Sequence, residues 1–281
     1  MKFDRYADLA DRAVIAVSGE EARPFLQGLI TNNIDHATKQ RAIYGALLTP
    51  QGKFLHDFFI VEHEGRILLD VEEPRMAETV TRLTKYRMRA KVDISDESGT
   101  WSIHALFPGG AKPGTVNSWN GGITFADPRH ADLGHRAIMP TGTIASVSIH
   151  KTTLMEYERT RISLGIPDAA KDLIPEKSIP LECGFEELNA VDFDKGCYVG
   201  QEVTARMKHR NLIKKRLFPV DLGGAVPTGT AVTNGTVTAG EVRSNSGSKA
   251  IALLRLDLAE TEGLTANGVS VAARKPEWAV F

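Results

Sequence analysis

The sequence predicts an α+β chain that closes with a small all-β unit. Three observations carry that expectation. Residues 43–71 hold apolar and aromatic runs separated by turn residues. Met76, Val80, Leu83 and Tyr86 or Arg87 then fall at helical spacing. From residue 216 onward only short strand-like stretches remain, split by Gly, Asn and Ser.

In chain order, residues 13–18 (AVIAVS) read as a short buried strand. Ser18 and Glu21 stand at capping-box spacing, while Pro24 conflicts with an uninterrupted helix. The expectation is an irregular turn and then a helix over roughly 24–32, with Phe25, Leu26, Leu29 and Ile30 inward. Residues 43–49 and 54–61 flank Pro50-Gln51-Gly52-Lys53, a hairpin signal with Gly52 suited to positive φ. A third antiparallel strand over 66–71 follows Glu64-Gly65. The helix near 76–87 has Glu72 and Glu73 at its start and Lys85, Arg87, Arg89 and Lys91 at its end, which suits the helix dipole. Strands are expected at 91–95 and 101–107, a Gly- and Pro-rich loop over 108–122, and strands near 122–126 and 135–139. A second helix spans roughly 150–164, with Leu154, Tyr157, Arg161 and Leu164 along one side, and Gly165 and Pro167 end it. Residues 166–181, with Pro167, Pro175 and Pro180, read as an extended connection. The short strands after 216 are expected to close into a barrel.

Composition removes several function classes. The 281 residues include 34 Lys and Arg against 35 Asp and Glu, a formal net charge of −1. That balance lacks the basic footprint of a nucleic-acid coating protein. No apolar run approaches the ~18 residues of a membrane span. The opening MKFDRYADLADR carries Asp4, Asp8 and Asp11 and lacks the apolar segment of a secretory signal. Cys183 and Cys197 cannot form a disulfide framework, and they read as reduced thiols of a cytoplasmic protein.

The most unusual stretch is 192–206, in which Gly196 and Gly200 flank Cys197 and Tyr198 and a helix-forming segment follows. Cys197 lies between Lys195 and a helix start near Gly200 or Gln201, and a nearby cation and a helix N-terminus both favour thiolate over thiol. That context favours a reactive or ligand-donating cysteine over an inert one. Cys183, in Pro-Leu-Glu-Cys-Gly-Phe, reads as core. The spacing supports no metal site, because a closed zinc site or a cluster held by one chain needs about four ligands. Arg206, Lys208, Arg210, Lys214, Lys215 and Arg216 form a basic run with His209, either a solvated face or an anion site. His56 and Asp57 are adjacent on a strand, so only one of them faces a given cavity. Phosphate-loop, serine-hydrolase and zinc-protease motifs are absent.

Lys195-Gly196-Cys197-Tyr198-Val199-Gly200-Gln201-Glu202 resembles the hallmark motif of the YgfZ-type folate-binding proteins. That family includes mitochondrial iron–sulfur assembly factors and is related to the glycine-cleavage T-protein, an aminomethyltransferase. Phe25–Asn32 is similar to the family's N-terminal helix, Leu47–Phe58 to the hairpin that follows, and Arg161–Pro167 to its Arg-x-Glu-x-Gly-x-Pro segment. Ser163 stands where the family has Glu, and His56-Asp57 where T-proteins carry Asp-Asp. The likeness runs from about residue 13 to 256.

The resemblance implies a three-lobed ring of mixed α/β lobes around a central hole that takes tetrahydrofolate. Residues 1–215 would form two intertwined lobes, with 43–140 as one of them, and 216–281 the small barrel. Cys197 would be the essential thiol and Lys195 would tune it. Gly196, Tyr198, Gly200, Gln201, Glu202 and Arg206 would shape and anchor the loop. Asp57 would sit at the folate's reacting nitrogen, and Tyr157 would stack on the folate. The implied role is a folate-dependent accessory factor for iron–sulfur cluster assembly or repair. Its partners would be iron–sulfur proteins or their assembly factors, with no direct nucleic-acid or membrane contact and any link to tRNA modification indirect. Two alternatives stand beside it: a folate-dependent aminomethyl- or methyltransferase, and a folate-free interaction module working through residues 206–216.

Overall fold

The computed structural model describes residues 3–281. The chain opens with β1 (Arg5–Asp8), whose sheet is completed only much later. It then lays down β2 (Arg12–Ser18), α1 (Ala22–Gln27), β3 (Ile43–Leu48), β4 (Phe54–His63), β5 (Arg66–Glu72), α2 (Met76–Arg87) and β6 (Asp93–Asp96). These strands form an antiparallel five-stranded sheet of order β3-β4-β5-β2-β6. Gly52 turns the β3–β4 hairpin at φ +71°, as expected. The expected helix over 24–32 is shorter and starts earlier, because Pro24 sits in the first turn of α1, where backbone N–H groups have no helical acceptor anyway. Ser18 ends β2, and the Glu21 carboxylate accepts from the Lys91 backbone N–H at 2.7 Å, so no capping box forms. Leu26, Leu29 and Ile30 are buried, and Phe25 is only partly so.

The second lobe holds β7 (Trp101–Phe107), β8 (Val116–Trp119), β9 (Gly122–Ala126), β10 (His135–Pro140) and β11 (His150–Lys151). With β1 they make a six-stranded sheet of order β11-β1-β7-β10-β9-β8. Residues 43–140 are therefore not one lobe, since β6 closes the first sheet and β7 opens the second. The expected loop over 108–122 contains β8, which pairs with β9 across a two-residue turn. Asn120 and Gly121 both adopt positive φ there, the signature of a tight hairpin. The second long helix, α3 (Leu154–Ser163), begins later than expected because Arg5 and Tyr6 of β1 pair with His150 and Lys151. Between 166 and 181 the connection is not wholly extended, for it carries α4 (Ala169–Asp172) and the start of a 3-10 turn at Pro180–Cys183. α5 (Gln201–His209) follows the Cys197 loop.

The third lobe is a closed barrel of β12 (Lys215–Leu222), β13 (Ala231–Asn234), β14 (Val237–Ser246), β15 (Lys249–Arg255), β16 (Leu264–Ala266) and β17 (Val269–Ala273). Closure leaves no sheet edge exposed, and Phe218, Val232, Val242 and Leu254 fill the interior. The tail after β17 returns to the first two lobes, where Trp278 Nε1 donates to the Leu164 carbonyl at 2.8 Å.

Strand alternation decides what faces the centre. Val14, Ala16, Tyr44, Phe59 and Leu68 of the first sheet meet Ile103, Phe125 and Ile138 of the second in the largest apolar core. Ile15, Ile43, Phe58 and Leu69 point the other way, under α1 and α2.

Candidate functional site

The same period of two carries charge into the centre. Arg12 shares the inner face of β2 with Val14, Asp57 that of β4 with Phe59, and Asp70 that of β5 with Leu68. Arg136 enters from β10 beside Ile138. Asp70 is fully buried and accepts from Arg12 Nε at 2.6 Å and from Arg136 Nε at 2.7 Å. Asp127 holds Arg129 bidentately, at 3.0 and 2.8 Å. The Phe59 ring is walled by guanidiniums, with Arg136, Arg129 and Arg12 at 3.9, 4.7 and 5.5 Å from its centroid. Arg129 also donates to the Tyr157 hydroxyl at 3.0 Å. Buried guanidiniums persist only when paired, and Asp70 and Asp127 supply that pairing.

Asp57 accepts from the Tyr44 hydroxyl at 3.1 Å, and its Oδ1 lies 3.6 Å from Arg12 Nη1 without a hydrogen bond. Burial and the neighbouring Asp57 keep the Tyr44 phenol protonated, with its pKa well above the usual range. Glu72 lies nearby with one buried carboxylate oxygen unpartnered, and burial, then Asp57, raise its pKa to about 7. His56 faces the opposite way, its Nδ1 3.0 Å from Thr79 Oγ1, and burial followed by Arg75 lowers its pKa to about 4. Of the pair, Asp57 is thus the residue at the centre.

Asp57 and Tyr157 both line the central cavity, together with Arg12, Phe59, Arg129 and Arg136. The space left is about 20 Å³, room for roughly one water molecule. Side chains as placed here leave no room in this cavity for a pterin ring. The Arg129 and Arg136 guanidiniums cover the Phe59 ring that forms one wall of this space. Ser163, at the family's Glu position, is solvent-exposed and does not line the cavity.

The Cys197 loop lies apart from this cavity, and Cys197 is no part of its lining. Lys195 is buried and sends its ammonium away from the thiol's surface. Nζ donates to the carbonyls of Gln27, Ile30 and Asn32 at 2.8, 2.6 and 2.7 Å, which binds the loop to the turn after α1. Burial lowers the Lys195 pKa to about 8. Tyr198 is buried with its ring 5.1 Å from that Nζ. Gly200 caps α5 at φ +87°, and a Cβ there would lie 2.6 Å from the Thr49 carbonyl in the β3–β4 turn. Gln201 Oε1 accepts from the Tyr198 backbone N–H at 3.3 Å. Glu202 and Arg206 pair with each other on the exposed face of α5 at 2.9 Å. Gly196 and Cys197 alone of the octapeptide's first four residues are exposed. Cys183 is buried, and burial pushes its thiol far up.

The basic run after the motif is partly neutralised. Lys208 pairs with Glu186 at 2.5 Å, and Arg216 with Glu187 at 2.7 Å. Among the described residues no group of three or more His, Cys, Asp or Glu is placed to hold a metal ion. The central arginines and their aspartates lie outside every motif in the sequence. Their signal is an ionisable residue inside an apolar strand, as in Arg66–Glu72 (RILLDVE) and His135–Pro140 (HRAIMP).

Comparison with known proteins bears on this arrangement. Residues 214–281 match the family model of the CAF17 C-terminal β-barrel domain. The mitochondrial iron–sulfur cluster assembly factor IBA57 of Mus musculus is 31% identical, over 96% of this chain and 84% of its own length. The Homo sapiens protein of the same name is also 31% identical, with the same 96% and 84% coverage. The chain belongs to the IBA57 family. The crystal structure of the glycine-cleavage aminomethyltransferase T from Bartonella henselae superposes with a TM-score of 0.81, covering 99% of this chain and 86% of that one at 13% identity. The expected T-protein-like fold is therefore correct, while at that identity nothing about activity follows. The family shown is that of the IBA57 iron–sulfur cluster assembly factors, in place of the expected YgfZ-type assignment. The cytoplasmic expectation is overturned, since these IBA57 relatives are named as mitochondrial.

Proposed function

We propose that this chain assists iron–sulfur cluster assembly by presenting Cys197 to a cluster or cluster precursor carried by another protein. The observation that supports the reading is the contrast within the octapeptide. Lys195, Tyr198 and Gly200 are buried and tied to α1 and to the β3–β4 turn, and Cys197 stands exposed between them. A held loop with one free thiol suits the donation of one ligand to a cluster whose other ligands come from a partner, because a cluster takes about four. The reading does not draw on folate-dependent one-carbon transfer, because Cys197 does not line the central cavity.

The test is complementation of cells that lack the chain. Cys197→Ala should restore little activity to cluster-dependent enzymes, whereas Cys183→Ala, if it folds, should restore them. Full restoration by Cys197→Ala would remove the thiol from the function.

A further inference from the structure

A second pocket of about 200 Å³ lies between the segment leading into β3 and the turn before β8. Arg41 and Lys112 both line it, together with Asn32, Asn189 and the buried Tyr44. No acidic residue lines it. Glu186, Asp192 and Asp194 line the adjoining groove, which shares Arg41, Asn32 and Asn189 with this pocket and carries Lys208 as a second cation.

Backbone hydrogen bonds join the two segments that carry the cations. Arg41 exchanges hydrogen bonds with Thr38, N–H to carbonyl at 3.1 and 2.8 Å. Ala42 N–H donates to the Gly114 carbonyl at 2.7 Å, and Val116 N–H to that of Gln40 at 3.0 Å, so the two segments are stitched together. Gly114, at φ +80°, lets them approach, since a Cβ there would lie 2.6 Å from the Ala42 carbonyl. The pocket's amides are already used, Asn32 Nδ2 on the Tyr44 and Asn189 carbonyls and Asn189 Nδ2 on that of Pro128. Arg41 and Lys112 make no side-chain hydrogen bond or ion pair among the described residues. The central arginines are the opposite case, each bound to a buried aspartate.

We infer that this pocket binds a small organic anion, with its carboxylate or phosphate group between Arg41 and Lys112. A guanidinium offers a planar donor fork and an ammonium a compact charge, a pairing suited to an oxyanion. Ile43, Pro113 and Pro128 give the apolar walls usual for a small-molecule site. The volume equals about six or seven waters of liquid, enough for a short-chain acid. The site also adjoins the Cys197 loop, since Asn32 lines the pocket and offers its carbonyl to Lys195.

Titration of the full chain with succinate, inorganic phosphate and succinamide at low salt tests the site by calorimetry and by amide NMR shifts. The acids should bind saturably, with the largest shifts at Ala42 and Gly114, and neutral succinamide should not bind. Arg41→Gln and Lys112→Gln, both at exposed positions, should each weaken binding at least about tenfold, the loss of one charge-assisted hydrogen bond. Lys214→Gln makes the same charge change elsewhere and should leave affinity unchanged. Succinate and phosphate separate a carboxylate head from a phosphate head. Absence of saturable binding, shifts lying elsewhere, or an equal loss in Lys214→Gln would overturn the inference.

Discussion

The centre of the molecule and its Cys197 loop use charge in opposite ways. At the centre, Arg12, Arg129 and Arg136 are buried against Asp70 and Asp127, and their guanidiniums leave room for about one water. In the loop a single buried cation, Lys195, holds backbone carbonyls, and the thiol two residues on is left to solvent. The centre is thus a closed network in which Asp70 and Asp127 pair the arginines, while Asp57 Oδ1 and Glu72 Oε1 are left without a hydrogen bond. The loop is a frame built around one unsatisfied group. The exposed thiol, and not the filled centre, is therefore the group open to another molecule.

The largest expected effect lies in the centre. Asp70→Ala would leave Arg12 and Arg136 buried without their shared carboxylate. Breaking a buried ion pair from one side costs ~3–5 kcal/mol, and urea denaturation should show a loss of that size. A loss below ~1 kcal/mol would mean that the arginines are solvated and the centre is open, and the contrast with the loop would then fail.

A smaller effect is pH-dependent. Burial, then Asp57, raises Glu72 from 4.5 to about 7 in the folded protein. Between those values the folded state holds a proton that the unfolded state has released. The stability contribution is therefore full below about 4.5 and is lost as pH rises through about 7. Glu72→Gln keeps the neutral form at every pH. It should flatten this part of the stability profile and exceed the wild type at pH 8, by an amount on the order of 2 kcal/mol. Parallel wild-type and variant profiles would show that Glu72 is solvated, and that burial at the centre does not extend to it.

These two regions also differ in how far the sequence reveals them. The β3–β4 hairpin, its Gly52 turn and the inward placement of Asp57 follow from local pattern, because alternation along one strand suffices. The barrel is legible for the same reason. The arginine network is not, since Asp70 and Arg136 are 66 residues apart and meet only when two sheets face each other. The contacts of Lys195 are illegible in the sequence for the converse reason. Its nearness to Cys197 in sequence suggests a partner for the thiol, whereas its partners are carbonyls more than 160 residues away. The Asn120-Gly121 turn was available in the sequence, and the surrounding Gly and Pro hid the short strands on either side.

The smallest expected effect is the sharpest for the loop, and it sets the two glycines of the octapeptide against each other. Gly200 is required by the chain itself, since φ +87° disfavours any other residue and a Cβ would collide with the Thr49 carbonyl. Gly196 has neither constraint, for its φ is not positive and a Cβ there meets nothing within 4 Å. Gly200→Ala should therefore cost on the order of 1–3 kcal/mol. Gly196→Ala should leave stability within about 0.5 kcal/mol of the wild type. If Cys197 works against a partner, the bare backbone at Gly196 is where that partner comes close. Gly196→Ala should then lower complementation of cluster-dependent enzymes while its denaturation curve overlays the wild type. Unchanged complementation would show that nothing packs against this side of the thiol, and a stability loss equal to that of Gly200→Ala would show that the loop is buried rather than presented.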